Sequence, residues 1–221
     1  MSRKHRIRLI ITLLIILVAL AVPLSQTTLP SPSKPPTLEA RTTLDKLHAL
    51  AVKGRAPKTG YSRAQFGDGW QSTNGCDTRN IILHRDLKNS TVNDKCQVTS
   101  GVLDDPYTGK VINFVRGPST SDIVQIDHVV ALSNAWQTGA QYFTFEKRVE
   151  LANDPLELLA VDGPANQQKS DGDAATWLPS NKPFRCQYVS RQIDVKAKYG
   201  LWVTAAEKQA MQDVLSMCGS K

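Results

Sequence analysis

An apolar run interrupted by two ionisable residues constrains this chain more than any other feature of its sequence. Residues 124–136 read VQIDHVVALSNAW, and the apolar side chains around the pair indicate a buried strand. Asp127 and His128 lie in the middle of that run. A buried carboxylate costs several kcal/mol unless an opposite charge or a metal ion compensates it. The fold must therefore supply a partner for Asp127, either a metal ion or a cation such as Arg79 or Arg85.

The first 25 residues have the pattern of an export signal. Four basic residues precede an almost wholly apolar segment, and Ala19-Leu20-Ala21 resembles a cleavage site. The apolar segment is shorter than the roughly 20 residues of a membrane span, and an uncleaved N-terminal anchor is the alternative. In both cases we expect the remainder to be secreted or held at the cell envelope, with membrane contact only through this segment.

Export changes the meaning of the net charge of +7. Four of the 27 basic residues and none of the 20 acidic residues lie in the predicted signal, so the exported part carries 23 basic and 20 acidic residues, a net charge of +3. This excess is too small to predict strong general affinity for polyanions.

The exported part is predicted to contain one domain. Residues 26–37, QTTLPSPSKPPT, are rich in Pro, Ser and Thr and predict an extended linker. Residues 38–221 are long enough to bury a substantial core. Helical spacing, turn residues and apolar alternation predict an α+β fold. Its predicted elements, in chain order, are a helix over residues 38–52, a helix capped by Asp77, a hairpin over 96–116 with its turn at 105–109, the strand that carries Asp127, a short helix capped by Ser133, a helix over 145–152, a strand ending at Asp162, a helix opened by Pro164 that carries Asn166 and Lys169, and helices over 184–199 and 205–218, the second capped by Thr204.

Four cysteines in an exported chain predict two disulfides. Three pairings are formally open. If the last two helices form an antiparallel hairpin, Cys186 at the start of one lies beside Cys218 at the end of the other, which leaves Cys76 for Cys96. The absence of a Cys-x-x-Cys spacing argues against a zinc ribbon or a thioredoxin-like site.

Several segments in fixed order carry a resemblance to a known family. These are YSRAQFGDGW, CDTRNIILHRDL, SGVLDDPYTGK, IDHVVALSNAW, ANDPLELLAVDGPANQQKSDGDAATWLP and the Cys-bearing C-terminal helices, which together span about residues 57–218. The chain resembles exported HNH endonuclease family proteins of actinobacterial type, which are related to the C-terminal nuclease domain of GmrSD-type restriction enzymes. The resemblance implies a ββα-metal (HNH) core with a β-hairpin and flanking helices.

The resemblance also implies roles for residues. Asp127 corresponds to the metal-ligating acid, His128 to the general base that activates water, and Asn166 to the metal ligand on the helix, where many relatives have His. Lys169, one turn further on, is expected to contact phosphate as a point charge. Oxygen ligands favour one divalent ion, Mg²⁺ or Mn²⁺, although the nearby imidazole also permits zinc or Ni²⁺.

The sequence departs from the family pattern at the residue that orients the histidine. The usual Asn is replaced by Glu157, whose carboxylate can hold the imidazole through a hydrogen bond; Asn153, at the preceding turn, is the alternative. Arg85 is expected near the site as a phosphate contact, or else as a member of a structural ion-pair network with Arg79 and Asp86.

These features predict a monomeric, exported endonuclease that hydrolyses phosphodiester bonds of DNA with little sequence specificity and without a small-molecule cofactor. No zinc-finger or helix-turn-helix pattern is present in the sequence. Two alternatives stand beside this function: a catalytically inactive, envelope-tethered protein that binds nucleic acid on the same scaffold, and a nuclease that prefers RNA.

Overall fold

The computed structural model describes residues 38–218. The predicted signal (1–25) and linker (26–37) lie outside the described residues. The helices are α1 (Leu38–Ala49), α2 (Thr78–Asp86), α3 (Leu132–Gln137), α4 (Phe145–Asn153), α5 (Gly163–Lys169), α6 (Arg185–Tyr199) and α7 (Ala205–Ser216). The strands are β1 (Ser72–Thr73), β2 (Cys76–Asp77), β3 (Lys88–Val92), β4 (Val98–Asp104), β5 (Val111–Val115), β6 (Val124–His128) and β7 (Leu158–Asp162). Together they form a mixed α and β fold with three small sheets.

All three sheets are antiparallel. The short strands β1 and β2 pair with each other, and β3, β4 and β5 form a three-stranded sheet in chain order. The predicted hairpin is its β4–β5 part, because residues 105–109 form the expected turn between these strands. Strand β3 on the other side of β4 was not predicted, since its polar sequence KNSTV lacks an apolar alternation.

The third sheet carries the Asp-His pair. Strand β6 pairs with β7 so that Asp127 lies opposite Leu159 and His128 opposite Leu158. Helix α5 follows β7 directly and packs on both strands. Asp162 caps the helix by accepting the Ala165 N–H at 2.8 Å. Gly163 is required here, because a Cβ atom at this position would collide with the carbonyl oxygen of Asp122.

Two apolar cores flank this sheet. The larger core joins the C-terminal helices to α1, α3 and one face of β7, and it includes Val161 and Leu159. The smaller core lies between α2, the three-stranded sheet and the other face, and it includes Val124 and Ile126. The β6–β7 pair is therefore covered on both sides, which explains why β7 is apolar from Leu158 to Val161.

The two disulfides confirm the predicted pairing. Cys76 is bonded to Cys96, and Cys186 to Cys218. The caps at Asp77 and Thr204 are also confirmed, whereas the predicted cap at Ser133 is wrong. Helix α3 begins two residues earlier than predicted, at Leu132, and its N-cap residue Ala131 makes no side-chain capping hydrogen bond. Among the helices within residues 38–218, none has the length and apolar character needed to cross a membrane.

Candidate active site

Asp127 is held by two buried side chains. The ammonium of Lys169 donates to its Oδ1 at 2.9 Å and to the backbone oxygen of His128 at 2.8 Å. The hydroxyl of Tyr107, from the turn between β4 and β5, donates to its Oδ2. Burial raises the pKa of Asp127, and the Lys169 charge and the Tyr107 hydrogen bond oppose that rise. The cation that compensates the buried charge of Asp127 is thus Lys169, not Arg79 or Arg85.

His128 is fixed by a backbone carbonyl and an aromatic ring. Its Nε2 lies 3.0 Å from the oxygen of Ala152. Because a carbonyl only accepts, Nε2 carries the proton and Nδ1 is the basic nitrogen of the neutral ring. Trp70 stacks on the imidazole with the ring centroids 5.6 Å apart and an interplanar angle of 8°. Burial, together with the positive charge of Arg63, lowers the pKa of His128 from 6.5 to about 3, so the ring is neutral at physiological pH.

Asn166 lies on α5 facing the first half of β6. Its side-chain nitrogen donates to Oε1 of Gln125 at 2.9 Å. No side chain or backbone group within residues 38–218 donates to its Oδ1, which leaves this oxygen free to bind a cation. Gln125 and Asp127 are two residues apart on the same strand, so their side chains point to the same face of the sheet.

These residues share one open cleft with a volume of about 800 Å³. Asp127, His128 and Asn166 all line it. The remaining walls are rich in polar and cationic side chains, including Lys58, Arg63, Arg79, Gln125, Ser133, Gln167 and Asp171. The cleft thus brings a neutral imidazole, a carboxylate and an amide oxygen together in a cationic setting. Such a site suits an anionic substrate.

Glu157, the residue predicted to orient His128, binds a backbone N–H group instead. Glu157 is fully buried and accepts the Val130 N–H through Oε2 at 3.2 Å. Burial raises its pKa well above the usual range, which favours the uncharged acid. The alternative, Asn153, binds Gln71 and the carbonyl of Val149. The backbone oxygen of Ala152 occupies the position that both side chains were expected to fill.

Lys169 and Arg85, the two residues predicted to contact phosphate, do not line the cleft. The side chain of Lys169 is inaccessible to solvent and forms an ion pair with Asp127 inside the fold. Arg85 forms a two-point ion pair with Asp86 and donates to the carbonyls of Pro155 and Leu158. Asp86 in turn accepts the Ala160 N–H, so this pair joins α2 to β7 and does not line the cleft.

Three residues of the site were missed by reasoning from the sequence. Tyr107 lies in the turn of the predicted hairpin, and Trp70 lies outside every predicted helix and strand. Arg63 lies in a segment without helical or strand periodicity. Only the family resemblance pointed to two of them, because the segment YSRAQFGDGW that contributes to it contains Arg63 and Trp70.

The residues fit a hydrated divalent ion better than a closed metal cage. No group of three or more His, Cys, Asp or Glu side chains within residues 38–218 is arranged to hold a metal. Each carboxylate oxygen of Asp127 has accepted one hydrogen bond and has a second lone pair, and Asn166 adds a free oxygen. Mg²⁺ in proteins commonly uses one or two such oxygens together with water and substrate phosphate.

Comparisons with known proteins give two matches. Residues 77–214 match a family described as the C-terminal domain of GmrSD restriction endonucleases. A protein of Arthroderma benhamiae, described as an uncharacterized secreted protein, is 39% identical over 201 residues, which cover 90% of this chain and 95% of that protein. No solved structure matches the chain.

Proposed function

This chain belongs to the family of the C-terminal domain of GmrSD restriction endonucleases, and we propose that it is an exported, metal-dependent endonuclease that hydrolyses phosphodiester bonds of DNA. The name of this family indicates that the protein is a nuclease. The observation that supports hydrolysis at this site is the neutral imidazole of His128 beside two oxygen ligands in a cationic cleft. The succession of β6, β7 and α5 supports a ββα-metal core.

His128 acts as the general base. Its Nδ1 accepts a proton from the water molecule that attacks the phosphorus atom. As the ring gains a proton, the hydrogen bond from Nε2 to the Ala152 oxygen becomes charge-assisted and stabilises the imidazolium. Trp70 keeps the ring plane fixed, which reduces the reorganisation needed during the proton transfer.

Asp127 and Asn166 hold one divalent ion, Mg²⁺ or Mn²⁺. When bound, this ion neutralises charge on the scissile phosphate and on the leaving oxygen. Lys169 and Tyr107 fix the carboxylate of Asp127 in position and oppose the rise in its pKa that burial causes. Gln125 fixes the amide of Asn166 so that Oδ1 is presented for binding.

The location of the protein follows from its relative and its disulfides. The A. benhamiae relative is described as secreted. Two disulfides persist in the oxidising environment outside the cytoplasm. We therefore place the enzyme outside the cell or in its envelope. We propose that it acts there as a monomer on DNA.

A plasmid-nicking assay tests the proposal. Oxidised protein comprising residues 26–221 is expected to nick supercoiled DNA with Mg²⁺ or Mn²⁺ and to be inactive in EDTA. Rates on duplex DNA, single-stranded DNA and RNA of the same sequence define the substrate. Faster cleavage of RNA would replace DNA by RNA in the proposal. Binding of DNA without cleavage under any metal would replace the enzyme by a binding protein.

A further inference from the structure

One wall of the cleft comes from residues outside the matched family domain. Lys58, Tyr61, Arg63 and Trp70 line the cleft, whereas the family match begins at residue 77. These residues precede the domain in the chain, and Trp70 stacks on His128 at the end of β6. The family match by itself therefore gives no role to this wall.

The cations of the cleft differ in whether they already have partners. Lys58 forms an ion pair with Asp171 at 3.0 Å. Arg79 donates to the backbone oxygens of Val124 and Ser121. The guanidinium of Arg63 is exposed and makes no ion pair or side-chain hydrogen bond with any residue in the range 38–218. Its five N–H donors remain available to an anion.

The backbone that carries Arg63 is rigidly placed. Residues Arg63–Phe66 form one short 3₁₀ turn, and Phe66 is 2% exposed. The Phe66 ring contacts that of Trp136 edge-on, with centroids 6.4 Å apart. Arg148 stabilises the same turn by donating a hydrogen bond to the backbone oxygen of Gln65 at 2.8 Å. Because this turn is held on both sides, the backbone of Arg63 loses little conformational freedom when its side chain binds a ligand.

Arg63 and His128 face the same space. Both line the main cleft, and both line a smaller adjoining cavity of about 100 Å³ that Trp70 and Ala152 also border. A phosphate between the two would accept hydrogen bonds from the guanidinium while the basic Nδ1 of His128 remains directed at an attacking water.

We propose that Arg63 is a substrate-binding residue that holds the phosphodiester beside His128, so that the segment Lys58–Trp70 completes the active site. This inference rests on the proposed nuclease function. Arg63 then contacts the scissile phosphate, since Lys169 and Arg85 are held in structural ion pairs.

Kinetics of Arg63→Ala and Arg63→Lys test the contact. On bis(p-nitrophenyl) phosphate, which has no flanking phosphates, kcat/KM is expected to fall about 100-fold in Arg63→Ala and to recover in part in Arg63→Lys. The loss on plasmid DNA should be similar and should persist at high salt. Arg41→Ala is the matched control, because Arg41 is an exposed arginine on α1 that does not line the cleft, and its rate should change less than about twofold. A loss on DNA alone, or no loss, would overturn the proposal.

A binding measurement separates this proposal from the proposed function. The imidazole resonances of His128 are followed by NMR in EDTA while the dinucleoside monophosphate TpT is added. We expect them to shift in wild type and Arg41→Ala but not in Arg63→Ala, whose melting temperature should equal that of wild type because Arg63 is exposed. If wild type shows the shift but cuts no substrate, the nuclease function fails and the Arg63 contact stands. Equal shifts in Arg63→Ala, or no shift in wild type, would refute the contact.

Discussion

The ammonium of Lys169 lies 2.9 Å from Oδ1 of Asp127, and both side chains are almost completely buried. This ion pair connects the end of α5 to β6 and explains how an apolar strand accommodates a carboxylate. Tyr107 adds a second donor from the β4–β5 turn. The three residues come from three different parts of the chain, so the position of Asp127 depends on the complete fold.

Lys169→Met is expected to lower the free energy of unfolding by about 3–5 kcal/mol, because it leaves the Asp127 carboxylate buried without a countercharge. Urea unfolding measures the change. The matched control is Lys58→Met, which removes an exposed ion pair with Asp171 and should cost less than about 1 kcal/mol. Adding Asp127→Asn to Lys169→Met should restore part of the loss. Equal effects of the two lysine variants would contradict the importance of the buried pair.

Glu157→Gln is expected to leave the cleavage rate within about twofold of wild type, because the Ala152 carbonyl holds His128. A large fall in rate, with the fold intact, would instead assign the orienting role to Glu157.

The same variant should change the pH dependence of stability. Burial raises the pKa of Glu157 above its usual value of 4.5, so the folded chain retains a proton that the unfolded chain loses. This residue therefore contributes its full stability below pH 4.5 and loses it, by about 1.4 kcal/mol per pH unit, as the pH rises toward the folded-state pKa. Urea unfolding from pH 4 to 8 should show Glu157→Gln becoming more stable than wild type as the pH increases. A constant difference across this range would contradict the buried acid.

Asn166→Ala should weaken metal binding, because it removes a free oxygen from the cleft. We expect the Mg²⁺ concentration for half-maximal nicking to rise about tenfold or more. Mn²⁺ binding followed by electron paramagnetic resonance should show the same loss without reference to turnover. Gln167→Ala is the control, since Gln167 neighbours Asn166 and also lines the cleft. If both variants bind Mn²⁺ as wild type does, Asn166 is not a ligand.

Trp70→Ala should lower kcat about tenfold with little change in KM, because the ring positions His128 rather than the substrate. Trp70→Phe should retain part of the rate, since it preserves a stacking surface. Tyr142→Ala removes an aromatic ring that is 74% exposed and does not line the cleft, and it serves as the control. A rise in KM at constant kcat would show that Trp70 binds substrate instead.

The sequence predicted those parts of the fold that local chemistry determines. Asp77, Thr204 and Pro164 identified the starts of α2, α7 and α5, and the separation of the cysteines along two helices predicted Cys186–Cys218. Each of these signals depends on residues close in the chain or on one simple helix pairing.

The partners within the site could not be predicted in the same way. The pair of Asp127 with Lys169 spans 42 residues, and the support for His128 is a backbone oxygen, which any residue type provides. Glu157 was a reasonable candidate by side-chain chemistry, yet its carboxylate turns to Val130. Such contacts depend on where the tertiary fold places the end of α4 beside β6, which no local pattern encodes.

His128→Ala in the plasmid-nicking assay, beside His84→Ala, tests the central claim most directly. His84 is exposed and its imidazole contacts the hydroxyl of Ser90, so it controls for loss of a histidine. With Mg²⁺ present and both variants folded, we expect His128→Ala to cut about 10³-fold more slowly than wild type and His84→Ala to cut at the wild-type rate. Cleavage by His128→Ala at the wild-type rate would show that the Asp-His pair is structural and that the nuclease site lies elsewhere.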